Sequence, residues 1–158
     1  MPGYSDLNSL LKLLCIRTNL MSVTSKQKTH FSLFLFSSGK AMIWSARKTS
    51  GPIARGAVGV LTYYIPVLNK TLAVMYSVPF DYNLYRNWWN VKLYSGRLEA
   101  SKKTFREMYR SDKVERGPFK GDNTWHTKKL GSGLCVKGAM GSTGQSELEI
   151  TVGNESKT

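Results

Sequence analysis

The chain has 158 residues, of which 41% are hydrophobic, and 23 Lys and Arg against 10 Asp and Glu give it a formal net charge of +13. This length suits one domain with a folded core and is short for two. The positive charge predicts an anionic partner, such as nucleic acid, phospholipid headgroups or acidic glycans. No apolar run reaches the roughly 20 residues of a membrane-spanning helix, so the sequence predicts none.

The first predicted element is an amphipathic helix over residues 5–21, SDLNSLLKLLCIRTNLM. Four leucines recur at helical spacing, namely Leu7, Leu10, Leu11 and Leu14. Such a helix either lies in a membrane interface or packs on its own domain, and the sequence leaves both open. The order of charged and apolar residues does not match a secretory signal peptide.

Short strands are predicted through most of the remaining chain. Their ranges are 31–36, 41–44, 56–64, 71–78, 90–94, 134–140 and 147–152. A second amphipathic helix is predicted over residues 97–110. Because strands and helices do not alternate regularly, the pattern favours a mainly β fold, a compact β-sandwich flanked by two α-helices, over a parallel α/β fold.

Residues 77–94, SVPFDYNLYRNWWNVKLY, are rich in aromatic side chains and contain the adjacent pair Trp88 and Trp89. Proline, aspartate and asparagine interrupt the run, which predicts a loop. Large amphipathic rings on a loop suit contact with lipid headgroups or with a ligand cation. The alternative is a hydrophobic loop folded into its own core.

The sequence contains no motif for catalysis. It lacks a phosphate-binding glycine loop, a nucleophile elbow and a zinc-protease helix. Cys15 and Cys135 are far apart without metal-ligand spacing, and we expect two separate thiols. We therefore predict a non-enzyme with no catalytic residues, no metal and no cofactor.

Basic and aromatic residues occupy different parts of the chain. The aromatic stretch holds only Arg86 and Lys92, and most of the other basic residues follow from Arg97 onward. A groove that stacks nucleic-acid bases needs the two kinds interleaved. The pattern instead favours a lipid headgroup, with rings for its cation and Lys or Arg for its phosphate. We expect no nucleic-acid partner.

Three long segments resemble the actinoporins, the pore-forming cytolysins of sea anemones, and their relatives in other animals. They are GPIARGAVGVLTYY, TLAVMYSVPFDYNLYRNWWNVKLYSG and PFKGDNTWHTKKLGSGL. The resemblance runs from about residue 39 to about residue 152, which divides the chain into a divergent segment 1–38 and an actinoporin-like core 39–158. It implies a β-sandwich flanked by two helices and recognition of phosphocholine, with a preference for sphingomyelin.

Carried over position by position, the resemblance implies a phosphocholine site on Val58, Ser77, Pro79, Tyr85, Phe105, Tyr109 and Arg110. It implies a membrane-interface set of Phe80, Tyr82, Leu84, Trp88 and Trp89. Phe105 and Arg110 replace two tyrosines of the family, and Leu84 stands where many members have tryptophan. The KGD at Lys120–Asp122 stands where anemone members have RGD, and we expect a turn that braces a loop.

The function that the resemblance implies is a secreted cytolysin that binds choline lipid, oligomerises and inserts in the target cell membrane. Its N-terminal amphipathic helix would line the pore, and nematocyst storage would apply if the source is a cnidarian. The alternative is a module on the same fold that binds lipid headgroups or glycans without making pores. Residues 1–38 depart from the family pattern, either as a divergent terminus or as a gene-model or splice artefact.

Overall fold

The computed structural model describes residues 14–19, 42–47, 56–81, 84–111 and 117–155. These residues form strands and one α-helix, so the predicted mainly β class is confirmed. The strands are β1 Leu14–Asn19, β2 Met42–Arg47, β3 Ala57–Ile65, β4 Lys70–Val78, β5 Trp88–Ser95, β6 Phe119–Lys120, β7 His126–Gly131, β8 Leu134–Met140 and β9 Glu147–Asn154. The helix, α1, is Lys102–Arg110.

The strands form a five-stranded sheet with the order β2-β1-β9-β8-β7 and a four-stranded sheet with the order β3-β4-β5-β6. Neighbouring strands are antiparallel except β1 and β2, which run parallel. The inner faces of both sheets contribute to one apolar core, which includes Leu72, Val74, Trp89, Val91, Val136, Leu148 and Ile150. The predicted sandwich therefore has its core between the sheets.

The second half of the helix predicted over residues 5–21 is a strand. β1 pairs with β2 on one side and with β9 on the other. Leu14 therefore lies in a sheet, so the predicted helix is wrong at this position, while a pore-lining role for Leu14 stays a prediction. The leucine spacing favoured a helix, but short helices are only marginally stable alone, and pairing with two strands outweighs that local preference. Leu7, Leu10 and Leu11 lie outside the described residues, as does the predicted strand 31–36.

The second predicted helix exists but begins five residues later than expected. Ser101 is extended and caps α1, because its hydroxyl accepts a hydrogen bond from the Thr104 N–H at 3.1 Å. The Leu98 N–H donates to Thr71 Oγ1 at 3.0 Å, which holds the preceding residues on β4. Among the described residues α1 is the sole α-helix, and no helix there combines the length and the apolar character needed to cross a bilayer.

The other predicted strands from 41–44 onward agree with the structure to within three residues at each end. The sequence reading missed β6 and β7. β6 has two residues, and β7 reads HTKKLG, in which two lysines mask the half-buried alternation of the strand. α1 packs on the outer face of the four-stranded sheet, where Met108 meets Val60, Ala73 and Met75.

Candidate functional site

Three side chains lie side by side across the outer face of the four-stranded sheet. Val58 of β3 is opposite Ser77 of β4, and Ser77 is opposite Trp88 of β5. Val58 is 54% exposed, Trp88 is half-buried and Ser77 is buried. The row thus places a hydroxyl between two apolar groups, and with strands about 4.8 Å apart it spans roughly 10 Å.

A close backbone approach positions Pro79 beside this row. A Cβ on Gly56 would lie 2.2 Å from the Val78 carbonyl oxygen and 2.8 Å from Pro79 Cα. Only glycine therefore fits where the chain enters β3. Pro79 is half-buried and follows the last residue of β4. The sequence signal for this contact is the glycine that immediately precedes β3.

The loop between β4 and β5 carries exposed apolar side chains. Phe80, Leu84 and Tyr85 are exposed, and Leu84 reaches 74%. The Tyr85 N–H donates to the Asp81 carbonyl at 3.1 Å, which closes a turn. Tyr82 lies outside the described residues. Exposed groups of large apolar side chains are typical of surfaces that bind another protein or a membrane.

A buried amide holds the base of this loop. Asn87 is 1% exposed. Its Nδ2 donates to the carbonyls of Gly141 and Thr143 at 2.7 and 2.9 Å, and it also lies in hydrogen-bonding distance of Ser146 Oγ. These acceptors belong to the connection between β8 and β9, so Asn87 ties the loop to the other sheet. The anchoring role has no motif in sequence and was missed.

Trp89 does not belong to the surface. It is 0% exposed and packs in the core, with its ring centroid 4.8 Å from Phe119 and 6.3 Å from His126. Its assignment to the membrane interface is therefore wrong. Successive residues of a strand point to opposite faces, so Trp88 and Trp89 cannot both face a membrane from β5.

The C-terminal turn of α1 is fixed close to the row. Asn90 lies on the same face of β5 as Trp88, two residues and about 7 Å farther along the strand. Its Nδ2 donates to the Met108 carbonyl at 2.9 Å and to Ser111 Oγ at 3.1 Å. Lys128 Nζ donates to Asn90 Oδ1 at 3.0 Å, so both the Nδ2 and the Oδ1 of this side chain are hydrogen-bonded.

Three predicted site residues lie on this helix. Phe105 and Tyr109 stack with their ring centroids 5.7 Å apart and their planes 16° apart. Phe105 is half-buried, while Tyr109 is 38% exposed and Arg110 is exposed. Because Asn90 holds the backbone at Met108, the exposed Tyr109 and Arg110 come from the turn nearest to Trp88.

One carboxylate of α1 is paired with the sheet. Lys92 Nζ lies 3.2 Å from Glu107 Oε1, and the Tyr94 hydroxyl donates to the same oxygen at 3.0 Å. The hydrogen bond from Lys92 is the largest of the causes that lower the pKa of Glu107. Burial, followed by the bond to Glu107, raises the pKa of Tyr94. Tyr94 is therefore neutral when it donates this hydrogen bond.

Lys120 of the KGD residues ends β6, and Gly121 and Asp122 turn the chain beneath the loop, as predicted. The Gly121 N–H donates to the Asn87 carbonyl at 2.8 Å. Asp122 Oδ1 accepts a hydrogen bond from the Thr124 N–H at 3.1 Å, and bonds from Thr124 are the main cause that lowers the pKa of Asp122. A Cβ on Gly121 would meet Asn87 Cβ at 2.6 Å, so the turn packs directly on the anchor of the loop.

The structure thus brings Val58, Ser77 and Pro79 together, adds Trp88 to them, and places the exposed end of α1 nearby. Trp88 was predicted as an interface residue, but its pairing with Ser77 was missed because the aromatic run was read as loop rather than strand. In the part of the chain that the structure describes, no group of His, Cys, Asp and Glu is arranged to hold a metal ion.

A model of the sea anemone cytotoxic protein family matches residues 20–154. The chain belongs to this family. Nigrelysin of Anthopleura nigrescens is 52% identical over 115 residues, which are 73% of this chain and 51% of that protein. Cytolysin tenebrosin-B of Actinia tenebrosa is 51% identical over 114 residues, 72% of this chain and 51% of that protein.

Deep sea actinoporin Cjtox II of Cribrinopsis japonica is 50% identical over 114 residues, 72% of this chain and 49% of that protein. The resemblance to actinoporins is therefore confirmed. The chain spans about half the length of these members of the sea anemone cytotoxic protein family.

Proposed function

We propose that this protein is a membrane-active cytolysin that binds phosphocholine headgroups at the loop end of its four-stranded sheet. The observation that carries the proposal is the row of Val58, Ser77 and Trp88. Tyr109 and Arg110 are exposed on the C-terminal turn of α1, which Asn90 holds on the same face of the sheet. Aromatic faces attract a quaternary ammonium group. A hydroxyl and a guanidinium donate hydrogen bonds to a phosphate.

In this proposal Pro79, Tyr85 and the Phe105–Tyr109 stack complete the walls of the site, and Phe80 and Leu84 enter the bilayer interface. Phe105 offers a ring face without a hydroxyl, and Arg110 offers charge in place of a neutral ring. With Phe105 and Arg110 in place of two tyrosines, the site gains a charged donor for the phosphate and loses two hydroxyl groups. We expect this exchange to reduce the preference for sphingomyelin. The site needs no catalytic residue, metal or cofactor.

Pore formation extends the same proposal. Relatives that carry the names cytolysin and actinoporin support a lytic activity. We propose that lysis proceeds by self-association in the target membrane, after secretion and, in a cnidarian, nematocyst storage. Insertion of an N-terminal helix is a separate step. Because residues 14–19 form β1 between β2 and β9, this step requires another segment or the release of β1 from the sheet.

That strand also favours a second candidate, a binding module that docks to lipid headgroups or glycans and makes no pore. A segment paired on both sides loses its hydrogen bonds if it leaves the sheet, and each buried group left unpaired costs about 1–3 kcal/mol. Binding without lysis is therefore the outcome that this candidate predicts.

The test is dye release from vesicles of phosphatidylcholine with and without sphingomyelin, with co-sedimentation of the same samples. Release together with binding is the expected result for a cytolysin. Binding without release would assign the chain to the second candidate. If no protein sediments with either vesicle, the proposed headgroup site is wrong.

A further inference from the structure

The solvent side of α1 carries a line of cations. Lys102, Arg106 and Arg110 are exposed and follow one another at intervals of four residues, and we call them the basic stripe. A helix turns by about 100° per residue, so Arg106 lies roughly opposite the buried Thr104 and Met108. At about 1.5 Å per residue the stripe is roughly 12 Å long.

The acidic residue of the helix does not neutralise this stripe. Glu107 is the only carboxylate between Lys102 and Arg110. It is turned toward the sheet, where Lys92 and Tyr94 bind it. The outward face of α1 therefore keeps its positive charge.

Aromatic surface borders the stripe on one side. Tyr109 precedes Arg110 and stacks on Phe105, so the ring pair lies next to Lys102 on the helix surface. Tyr109 is also part of the candidate headgroup site. A surface with rings on one side and cations on the other fits the boundary of a bilayer, where apolar and anionic groups meet.

We propose that the basic stripe binds anionic phospholipid headgroups, so that the protein prefers bilayers in which a lipid such as phosphatidylserine accompanies the choline lipid. Arginine binds phosphate and carboxylate oxygens through two parallel N–H donors, and both groups occur in phosphatidylserine. The inference rests on the proposed function in that the same side of the molecule must face the membrane.

The experiment is co-sedimentation with vesicles of phosphatidylcholine and sphingomyelin, prepared with and without a minor fraction of phosphatidylserine, at low and high salt. The test variant is Lys102→Gln/Arg106→Gln, which leaves Arg110 in the headgroup site. The control is Lys129→Gln/Lys137→Gln on the outer face of the five-stranded sheet, which also removes two positive charges but leaves α1 unchanged. Circular dichroism at rising temperature verifies that all three proteins are folded.

We expect phosphatidylserine to strengthen binding of the natural protein and of the control, with a gain that falls as salt rises. The test variant should lose about fivefold in affinity for each cation removed, and only on vesicles with phosphatidylserine. An equal loss in both variants would mean that net charge alone acts, and the inference would be wrong.

Two further outcomes separate this inference from the proposed function. If no protein binds choline vesicles but the natural chain binds those with phosphatidylserine, the proposed choline headgroup site is wrong and the proposed role of the basic stripe is supported. If phosphatidylserine gives no gain while duplex DNA retains the natural chain and releases the test variant, the stripe belongs to nucleic acid and the inference is overturned.

Discussion

The two faces of β5 show how one strand serves two environments. Its inner face places Trp89 and Val91 in the core, both 0% exposed. Its outer face places Trp88 in the candidate headgroup site and Asn90 under the end of α1. Two identical neighbouring residues therefore have opposite roles, and the alternation of the strand, not the aromatic composition, decides which is which.

The inner face is built around the Trp89 ring. Gly138 lies across from it, and a Cβ there would be 2.8 Å from the ring. On the outer face Trp88 pairs with Ser77 and is half-buried. The absence of a side chain at Gly138 thus admits Trp89 to the core.

The sharpest test of this comparison is the same substitution at both tryptophans. Trp89→Ala should destabilise the protein by about 3–5 kcal/mol, since it removes a fully buried ring. Trp88→Ala should cost much less in stability and should weaken binding to choline vesicles. Urea unfolding and co-sedimentation measure the two effects, and equal losses of stability would show that the faces do not differ.

The anchor of the loop should give the next largest effect. Asn87→Ala removes the donor to the Gly141 and Thr143 carbonyls, and the free energy of unfolding should fall by about 1–3 kcal/mol. Hydrogen exchange should accelerate most in the loop before β5 and in the β8–β9 connection. Thr127→Ala, at an exposed position of the edge strand β7, is the control. Uniform acceleration over both sheets would contradict a local anchor.

Filling the space beside Trp89 should also destabilise the core. Gly138→Ala places a methyl group against both Trp89 and the Glu149 carbonyl, and overpacking of this kind costs about 1–3 kcal/mol. Adding Trp89→Phe should recover part of the loss, because only one of the two contacts is relieved. Thermal unfolding of the single and double variants tests this. Strictly additive losses would mean that the two positions do not interact.

The smallest expected effect concerns the outer face. The pKa of Glu107 is lowered, so its bond to Lys92 stabilises the fold above the unfolded value of about 4.3, and that contribution is lost as pH falls through the folded value. Because the pair is exposed to solvent, we expect no more than about 0.5 kcal/mol. Glu107→Gln should lower the melting temperature slightly at neutral pH, and this difference should disappear once the pH is below the lowered pKa of Glu107. A difference that persists in acid would contradict this sign.

Much of the fold was predictable because six predicted strands have strong alternation or strong apolar character. β9 is typical, since Leu148, Ile150 and Val152 all point inward. β1 was not predictable, because its pairing with β9 and β2 depends on residues far away in sequence.

The candidate site was predictable in part. Val58, Ser77 and Pro79 came from the resemblance. The register pairs Val58 with Ser77, and the close approach of Gly56 brings Pro79 beside them. The surface role of Trp89 and the anchoring role of Asn87 could not be judged correctly, because burial and cross-sheet hydrogen bonds appear only once the two sheets are in contact.

The complete enclosure of Trp89 gives the molecule an internal optical reporter. An indole in dry surroundings emits at a shorter wavelength than one in water, so unfolding should shift the Trp89 emission to the red. Trp88 is half-buried and Trp125 is 49% exposed, so entry of either ring into a bilayer should shift emission to the blue. Unfolding and membrane binding would therefore shift the wavelength of the tryptophan emission in opposite directions, and both could be followed without an added label.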